Sequence, residues 1–566
     1  MYLSADSGAL RFRLYLPAGY DDHVQLHYPV LYLLHGSDGD TNGTEWGDFF
    51  PVLDRLIAQG DIPACIAVVA ADGSSCRVDA GHSGDYETAF ISDLIPYMDT
   101  KYRTLPDRAK RLIVGFSTGG YGALRCCLAF PQLFEGCVLL NPFVQDGPKA
   151  HKNYPALLAG YAVQEDRVRF YIFAADDDRN HLAEKAEMPK DACFHSNEQQ
   201  AVNLYIDLHR KNLFKFPFEK YKEVPGNAAQ LRIKSGCHSR NTWPEGFEDG
   251  LKYLFGQPES AAFSPQVTVY HATQSGSLSE VMTLQTSLGT ALDYRVRTPA
   301  GFKECGDTQY PVVYLLHGSH GTASSWDAFY PALDWMMEQK MIKPLITVAP
   351  ITGNSYWVDS ETFGAVESAV INELIPEIDR KYPTKAQRSG RALAGFSMGG
   401  FGAVCYAMRH PELFAGAILL SPFVQDAHAP ASSRAVTGGA FAGVDGQYDE
   451  DLWRRSNYPG LLAEYTAKAL PVSMYIYVGD DDWNHLSAKE DLPEDAWRYN
   501  IEYQAVKLYL ALKSQNPLGA ASPKGESAPR DTAQLRVVNG GHNETVWIQG
   551  FIEGLQYIER QGFGGY

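Results

Sequence analysis

Two six-residue stretches carry most of the chemistry this chain could do. Gly115-Phe116-Ser117-Thr118-Gly119-Gly120 follows the apolar run 111–114, and Gly395-Phe396-Ser397-Met398-Gly399-Gly400 follows 391–394; a small-residue, apolar segment comes after each. That pattern reads as strand, tight turn, helix. A Gly-x-Ser-x-Gly in this setting is a nucleophile elbow, which exposes the serine hydroxyl while the glycines let helix and strand pass without Cβ clashes. A hydroxyl is a weak nucleophile, so it needs a base within reach and a third group to orient that base. The order expected behind such an elbow is serine, acid, histidine. Both halves supply it. Residues 171–175 lead into Asp176-Asp177-Asp178 and 475–479 into Asp480-Asp481-Asp482, while His238 and His542 each stand just past a final apolar run.

The elements that must position these groups are written twice as well. Tyr28 to Ser37 and Tyr310 to Ser319 are continuous apolar runs ending in His-Gly-Ser, as suits strands buried on both faces of a parallel sheet. Residues 65–70 and 345–349 read as the next strand, and 134–144 and 414–424 as the strand after the elbow helix. Strands alternating with helical segments predict an α/β fold: two tandem domains, each a mainly parallel sheet with helices on both faces. Nucleophile, acid and base then converge on one sheet edge, where open α/β sheets bind ligands.

Registering the copies divides the chain. His35 and His317 are offset by 282 positions and the two serines by 280, but after Asp146 and Asp426 the offset becomes 304. The second copy therefore carries 24 extra residues, within 427–457, where a lid is expected. The domains read as 1–256 and 267–566, joined by a linker at 257–266 around Gln257-Pro258-Glu259-Ser260. Residues 267–284 have no counterpart in the first copy and predict either an extra edge strand or a docking segment.

At 566 residues the chain is too long for one core and fits two domains of about 250 to 300 residues. A net charge of −18 with no Lys/Arg run argues against a nucleic-acid partner. No apolar stretch is long enough for a membrane span, and the chain as given begins without a signal peptide, so no membrane partner and a cytoplasmic location are expected. Nine cysteines without a Cys-x-x-Cys pair read as reduced buried thiols.

Together these motifs make each half resemble the esterase branch of the α/β-hydrolases, the group containing feruloyl esterases, enterochelin esterases, S-formylglutathione hydrolase and the antigen 85 mycolyltransferases. The resemblance rests on Leu-Leu-His-Gly at 33–36 and 315–318, the Leu-Ile-Pro helices, Gly-Phe-Ser-x-Gly-Gly, Pro-x-Leu-Phe at 131–134 and 411–414, and His-x-x-x-x-Trp at His238/Trp243 and His542/Trp547. In that family the acid lies three residues past a glycine at the strand end. This selects Asp482 after Gly479 and, by register, Asp178 after Ala175. The first copy departs from the pattern there and again at Cys237, where glycine is usual, which makes it the weaker candidate catalyst.

The resemblance implies a serine esterase with triads Ser117/Asp178/His238 and Ser397/Asp482/His542. One oxyanion donor is expected at the backbone N–H of Thr118 and Met398, the other in the loop after His-Gly, at Ser37 and Ser319. Trp46, Trp326, Trp243 and Trp547 are candidate substrate-binding residues, with an ordinary core role as the alternative for Trp46 and Trp326. His35 and His317 read as structural. The Asp176–Asp178 and Asp480–Asp482 runs with His181 and His485 have the composition of a metal cluster, but no metal or cofactor is expected, because successive extended residues point opposite ways. The expected ligand is a small-molecule ester. Acyl transfer to another alcohol, or a first copy that binds without catalysing, stand as alternatives.

Overall fold

The computed structural model describes residues 3–4, 11–36, 44–70, 87, 89–144, 154–162, 166, 168–176, 197–211, 229–236, 238–239 and 241–255 of the first copy. In the second copy it describes 270–289, 291–304, 307–425, 429, 433–480, 482, 500–515 and 533–565. The chain divides into two compact units, residues 1–263 and 264–566. The expected linker, 257–266, lies outside the described residues.

In the first unit the strands are β1 (Leu3–Ser4), β2 (Arg11–Tyr15), β3 (Val30–Leu34), β4 (Ile66–Ala70), β5 (Arg111–Phe116), β6 (Gly136–Leu140), β7 (Arg169–Ala175) and β8 (Ala229–Lys234). They run in the order β1-β2-β4-β3-β5-β6-β7-β8; β2 is antiparallel to its neighbours, and β4 through β8 are parallel. The five-residue strands β3, β4 and β6 are buried at every position, because helices cover both faces. Alternate residues separate those faces. Leu31, Leu33, Val114 and Val138 pack with the helices Phe50–Gln59 and Trp243–Phe255. Tyr32 points the other way, edge-on to Phe90 and Phe134.

The second unit repeats the plan with β9 (Ser277–Leu278), β10 (Met282–Gln285), β11 (Ala291–Thr298), β12 (Val312–Leu316), β13 (Ile346–Ile351), a small hairpin of β14 (Asp359–Ser360) and β15 (Gly364–Ala365), β16 (Arg391–Phe396), β17 (Gly416–Leu420), β18 (Ser473–Gly479) and β19 (Ala533–Val538). Its main sheet runs β10-β11-β13-β12-β16-β17-β18-β19. Of the 267–284 segment, the described part supplies β9 and most of β10, both antiparallel to β11, so it extends the sheet edge.

The 24 extra residues fall within 427–457, of which 429 and 433–457 are described. That range holds the short helices Arg434–Thr437 and Glu450–Ser456, the latter capped by the Asp449 side chain. Phe441 and Trp453 bury themselves there against Tyr356 and Phe401. The described cysteines Cys65, Cys126, Cys127, Cys137 and Cys405 are buried, and burial pushes the Cys405 thiol up to about 12. None of the described helices is long and apolar enough to cross a membrane.

Candidate active site

Both serines sit where a strand turns directly into a helix, at Ser117 between β5 and Thr118–Ala129 and at Ser397 between β16 and Met398–Arg409. Their backbones match, with φ 54° and ψ −124° at Ser117 and φ 55° and ψ −119° at Ser397. A non-glycine residue held at positive φ costs on the order of 1 to 3 kcal/mol, so neighbouring structure must impose it. The next strand does so: Ser397 N–H donates to Leu420 O (2.9 Å), and Phe423 N–H donates to Ser397 O (2.9 Å). The flanking glycines are obligatory, since a Cβ at Gly395 would lie 2.1 Å from Gly399 O.

In the second copy this turn meets the other two predicted residues. Ser397 Oγ lies 2.9 Å from His542 Nε2, and His542 Nδ1 lies 2.8 Å from Asp482 Oδ1. Asp482 is fully buried just beyond β18, and His542 follows β19. An aspartate on Nδ1 holds the ring proton there, which leaves Nε2 free to accept the serine's proton. Asp480 has a different task from Asp482: its Oδ1 accepts from Gly540 N–H (3.0 Å) and ties the acid strand to the histidine loop. Asp176 and Gly236 repeat that bond in the first copy at 3.0 Å.

The loop after β12 runs against the nucleophile. A Cβ on Gly318 would stand 3.3 Å from Ser397 Cβ. His317 is 1% exposed; its Nδ1–H donates to Gly318 O (2.8 Å), and its Nε2 accepts from Thr352 N–H (3.0 Å). Burial lowers its pKa to about 4, so the ring is neutral at ordinary pH. Because a trans peptide is planar, fixing Gly318 C=O also fixes the opposite direction of the Ser319 N–H. Met398, the other expected donor, is the first residue of its helix, where an N–H has no intrahelical acceptor.

The tryptophans are where the sequence reading needs correction. Trp46 and Trp326 are 0% and 2% exposed and pack among Phe49, Phe116 and Phe247, and among Phe329, Phe396 and Phe551 respectively; they belong to the cores beneath the elbows. Trp243 and Trp547 are also buried, each stacked on the phenylalanine before the serine and edge-on to the histidine, at 5.0 Å for His238 and 4.8 Å for His542. An indole in that position braces the imidazole. The reason is the same for all four: the aromatic at the second elbow position points into the sheet's face, and these rings fill the space around it.

The first copy repeats the scaffold and brings one further side chain to its histidine. Its elbow, the His35 Nδ1–Gly36 O bond (2.8 Å) and the tryptophan brace are all present. The side-chain amide of buried Asn197 lies 3.0 Å from His238 Nδ1. By register Asn197 takes the place of Ile501. Asp178, Ser37 and Cys237 lie outside the described residues, as do His181 and His485.

Sequence reasoning passed over four residues here. Asn197 could have been found by aligning the copies, as could Tyr356-Trp357, which replace Cys76-Arg77. Trp357 Nε1–H donates to His317 O (3.2 Å) and so braces the same loop. Arg434 gave no signal beyond lying in the insertion.

A mainly parallel sheet with a serine elbow at one strand end and a histidine and an aspartate at later ones defines the α/β-hydrolase class. The family model described as "Putative esterase" matches twice, over residues 7–274 and 285–558, and the chain belongs to that family. An esterase of Mycobacterium tuberculosis is 37% identical over 129 residues, 22% of this chain and 27% of that protein. An endo-1,4-beta-xylanase/feruloyl esterase of Xylanibacter ruminicola is 32% identical over 154 residues, 25% of this chain and 20% of that protein. The chain thus matches about a quarter of these curated relatives' length. Among solved structures, a ferulic acid esterase matches over 51% of this chain and 99% of its own, at 22% identity and a TM-score of 0.39. The S-formylglutathione hydrolase of Staphylococcus aureus matches over 50% and 99%, at 14% identity and a TM-score of 0.35.

Proposed function

We propose that the chain is a serine carboxylic-ester hydrolase whose second copy is the principal catalyst. The observation that carries this reading is the continuous hydrogen-bonded line from Ser397 Oγ through His542 to Asp482. Ser397 Oγ attacks the ester carbonyl as His542 Nε2 takes its proton, and Asp482 stabilises the resulting imidazolium. Negative charge develops on the carbonyl oxygen between the N–H groups of Met398 and Ser319, donors worth on the order of 3 to 4 kcal/mol each in such sites. The tetrahedral adduct collapses, the C–O bond to the alcohol breaks, and His542 returns the proton to the departing alkoxide. Water, activated by the same histidine, then releases the acid and restores Ser397.

In the first copy Ser117 and His238 have the parts for the same chemistry, with Thr118 and Ser37 as the expected donors and Asp178 as the expected acid. The departures at Ala175, where glycine precedes the acid in the second copy, and at Cys237 beside the base favour a slower site. Hydrolysis of p-nitrophenyl acetate by wild type and by Ser397→Ala tests the proposal. Loss of most of the activity is expected, and full retention contradicts it.

A further inference from the structure

The insertion found in the second copy alone is bound to the loop that follows β12. Tyr356 is buried, and its hydroxyl interacts with the Ser319 side chain and the Ala435 backbone, joining loop and insertion. One residue before Ala435, Arg434 is exposed, and its Nη1 donates to His320 Nδ1 (3.0 Å). His320 is itself held in place, at φ 61° with its N–H donating to Asn354 Oδ1 (2.8 Å). The insertion therefore fixes a guanidinium one residue beyond Ser319.

That cation is not used up inside the protein. Among the described residues no carboxylate lies within ion-pair distance of Arg434, and its hydrogen-bond partner is a histidine. Arg295, Arg297, Arg391 and Arg409 of the same unit all have carboxylate partners, in a chain of net charge −18. The residue before it adds a second observation. Ser433 is 8% exposed, and its Oγ has no hydrogen-bond partner among the described residues. A buried hydroxyl without a partner is costly unless something else supplies one.

We propose that Arg434 is a specificity-determining residue that selects esters carrying a carboxylate, so that the second copy prefers acidic esters to neutral ones of the same size. The inference rests on Ser397 being the nucleophile. A guanidinium offers a carboxylate two parallel N–H donors, whereas the His320 nitrogen occupies only one side of it. The first copy has no counterpart of the insertion and so lacks this preference.

The test uses the full chain with Ser117→Ala, so that only the second copy is read. Hydrolysis of the p-nitrophenyl monoester of adipic acid is compared with that of p-nitrophenyl hexanoate, a neutral ester of equal chain length. The ratio of kcat/KM for the two should fall about fivefold in Arg434→Gln and further in Arg434→Glu, and Arg434→Lys should restore part of it. Raising the salt concentration should shrink the wild-type ratio toward that of Arg434→Gln. A ratio unchanged within twofold in Arg434→Gln, or equal losses on both esters, overturns the proposal. Undiminished hexanoate hydrolysis in Ser117→Ala/Ser397→Ala would instead overturn the serine-hydrolase reading beneath it.

Discussion

The two copies fold the same scaffold and differ in what they place around it. The serine backbones agree to within 5° in φ and ψ, the His-Gly bonds are both 2.8 Å, and each histidine stands edge-on to a tryptophan. Even the support below the sheet is repeated: Arg111 pairs with Asp99 and Arg391 with Asp379, each at 2.5 Å. Among the described residues the copies differ in the buried Asn197 amide beside His238, where the second copy has Ile501, and in the inserted segment with its aromatic cluster. The elbow is thus common to both copies, and what surrounds it is where they can differ in activity.

The largest effect expected is on the second copy's base and acid. In a Ser117→Ala background, His542→Ala should lower kcat for p-nitrophenyl acetate by about 10³-fold or more, and Asp482→Asn by a comparable factor, since each breaks the same proton path. Stopped assays with purified variants read this directly. A loss under tenfold for either would mean that the hydrogen-bonded line is not the working one.

The difference between the copies should appear next. Labelled with a fluorophosphonate probe and mapped by peptide mass, Ser117 should react at least about tenfold more slowly than Ser397, because its copy departs from the second at Ala175 and Cys237, beside the expected acid and base. Replacing Asn197 with Ile, the residue at that position in the second copy, should change the Ser117 rate and leave Ser397 alone. Equal labelling of both serines would erase the distinction drawn here.

His317 gives a smaller, two-sided prediction. His317→Ala should lower kcat about 10- to 100-fold with little change in KM, since the Ser319 N–H it orients acts on the transition state. Stability should also respond to pH. The folded pKa of about 4 lies below the ordinary 6.5, so between those values the unfolded chain binds a proton that the folded chain does not. This group's contribution is complete above pH 6.5 and is lost as pH falls toward 4, on the order of 3 kcal/mol in all. Urea titrations across that range should show a shallower acid decline in His317→Asn than in wild type. The smallest effect is expected for Trp547→Phe, a few-fold fall in kcat from a less firmly braced imidazole.

The fold, and the meeting of Ser397, His542 and Asp482, were legible because they obey local rules. Continuous apolar runs marked the parallel strands, the glycines around each serine marked the elbow, and Asp482 and His542 followed strands as the motif order requires. What escaped depends on packing between distant segments. Nothing within Trp46 or Trp326 distinguishes a pocket wall from a core ring, and only the neighbours Phe116 and Phe396 decide it. Asn197 is 41 residues from His238, and Arg434 is 114 from His320, separations over which spacing carries no information.

The central claim is tested most directly by initial rates of p-nitrophenyl acetate hydrolysis for four full-length proteins: wild type, Ser117→Ala, Ser397→Ala and the double variant. Ser117→Ala should keep most of the activity, Ser397→Ala should lose most of it, and the double variant should fall to background. Activity that survives in the double variant, or that follows Ser117 instead of Ser397, would contradict the account.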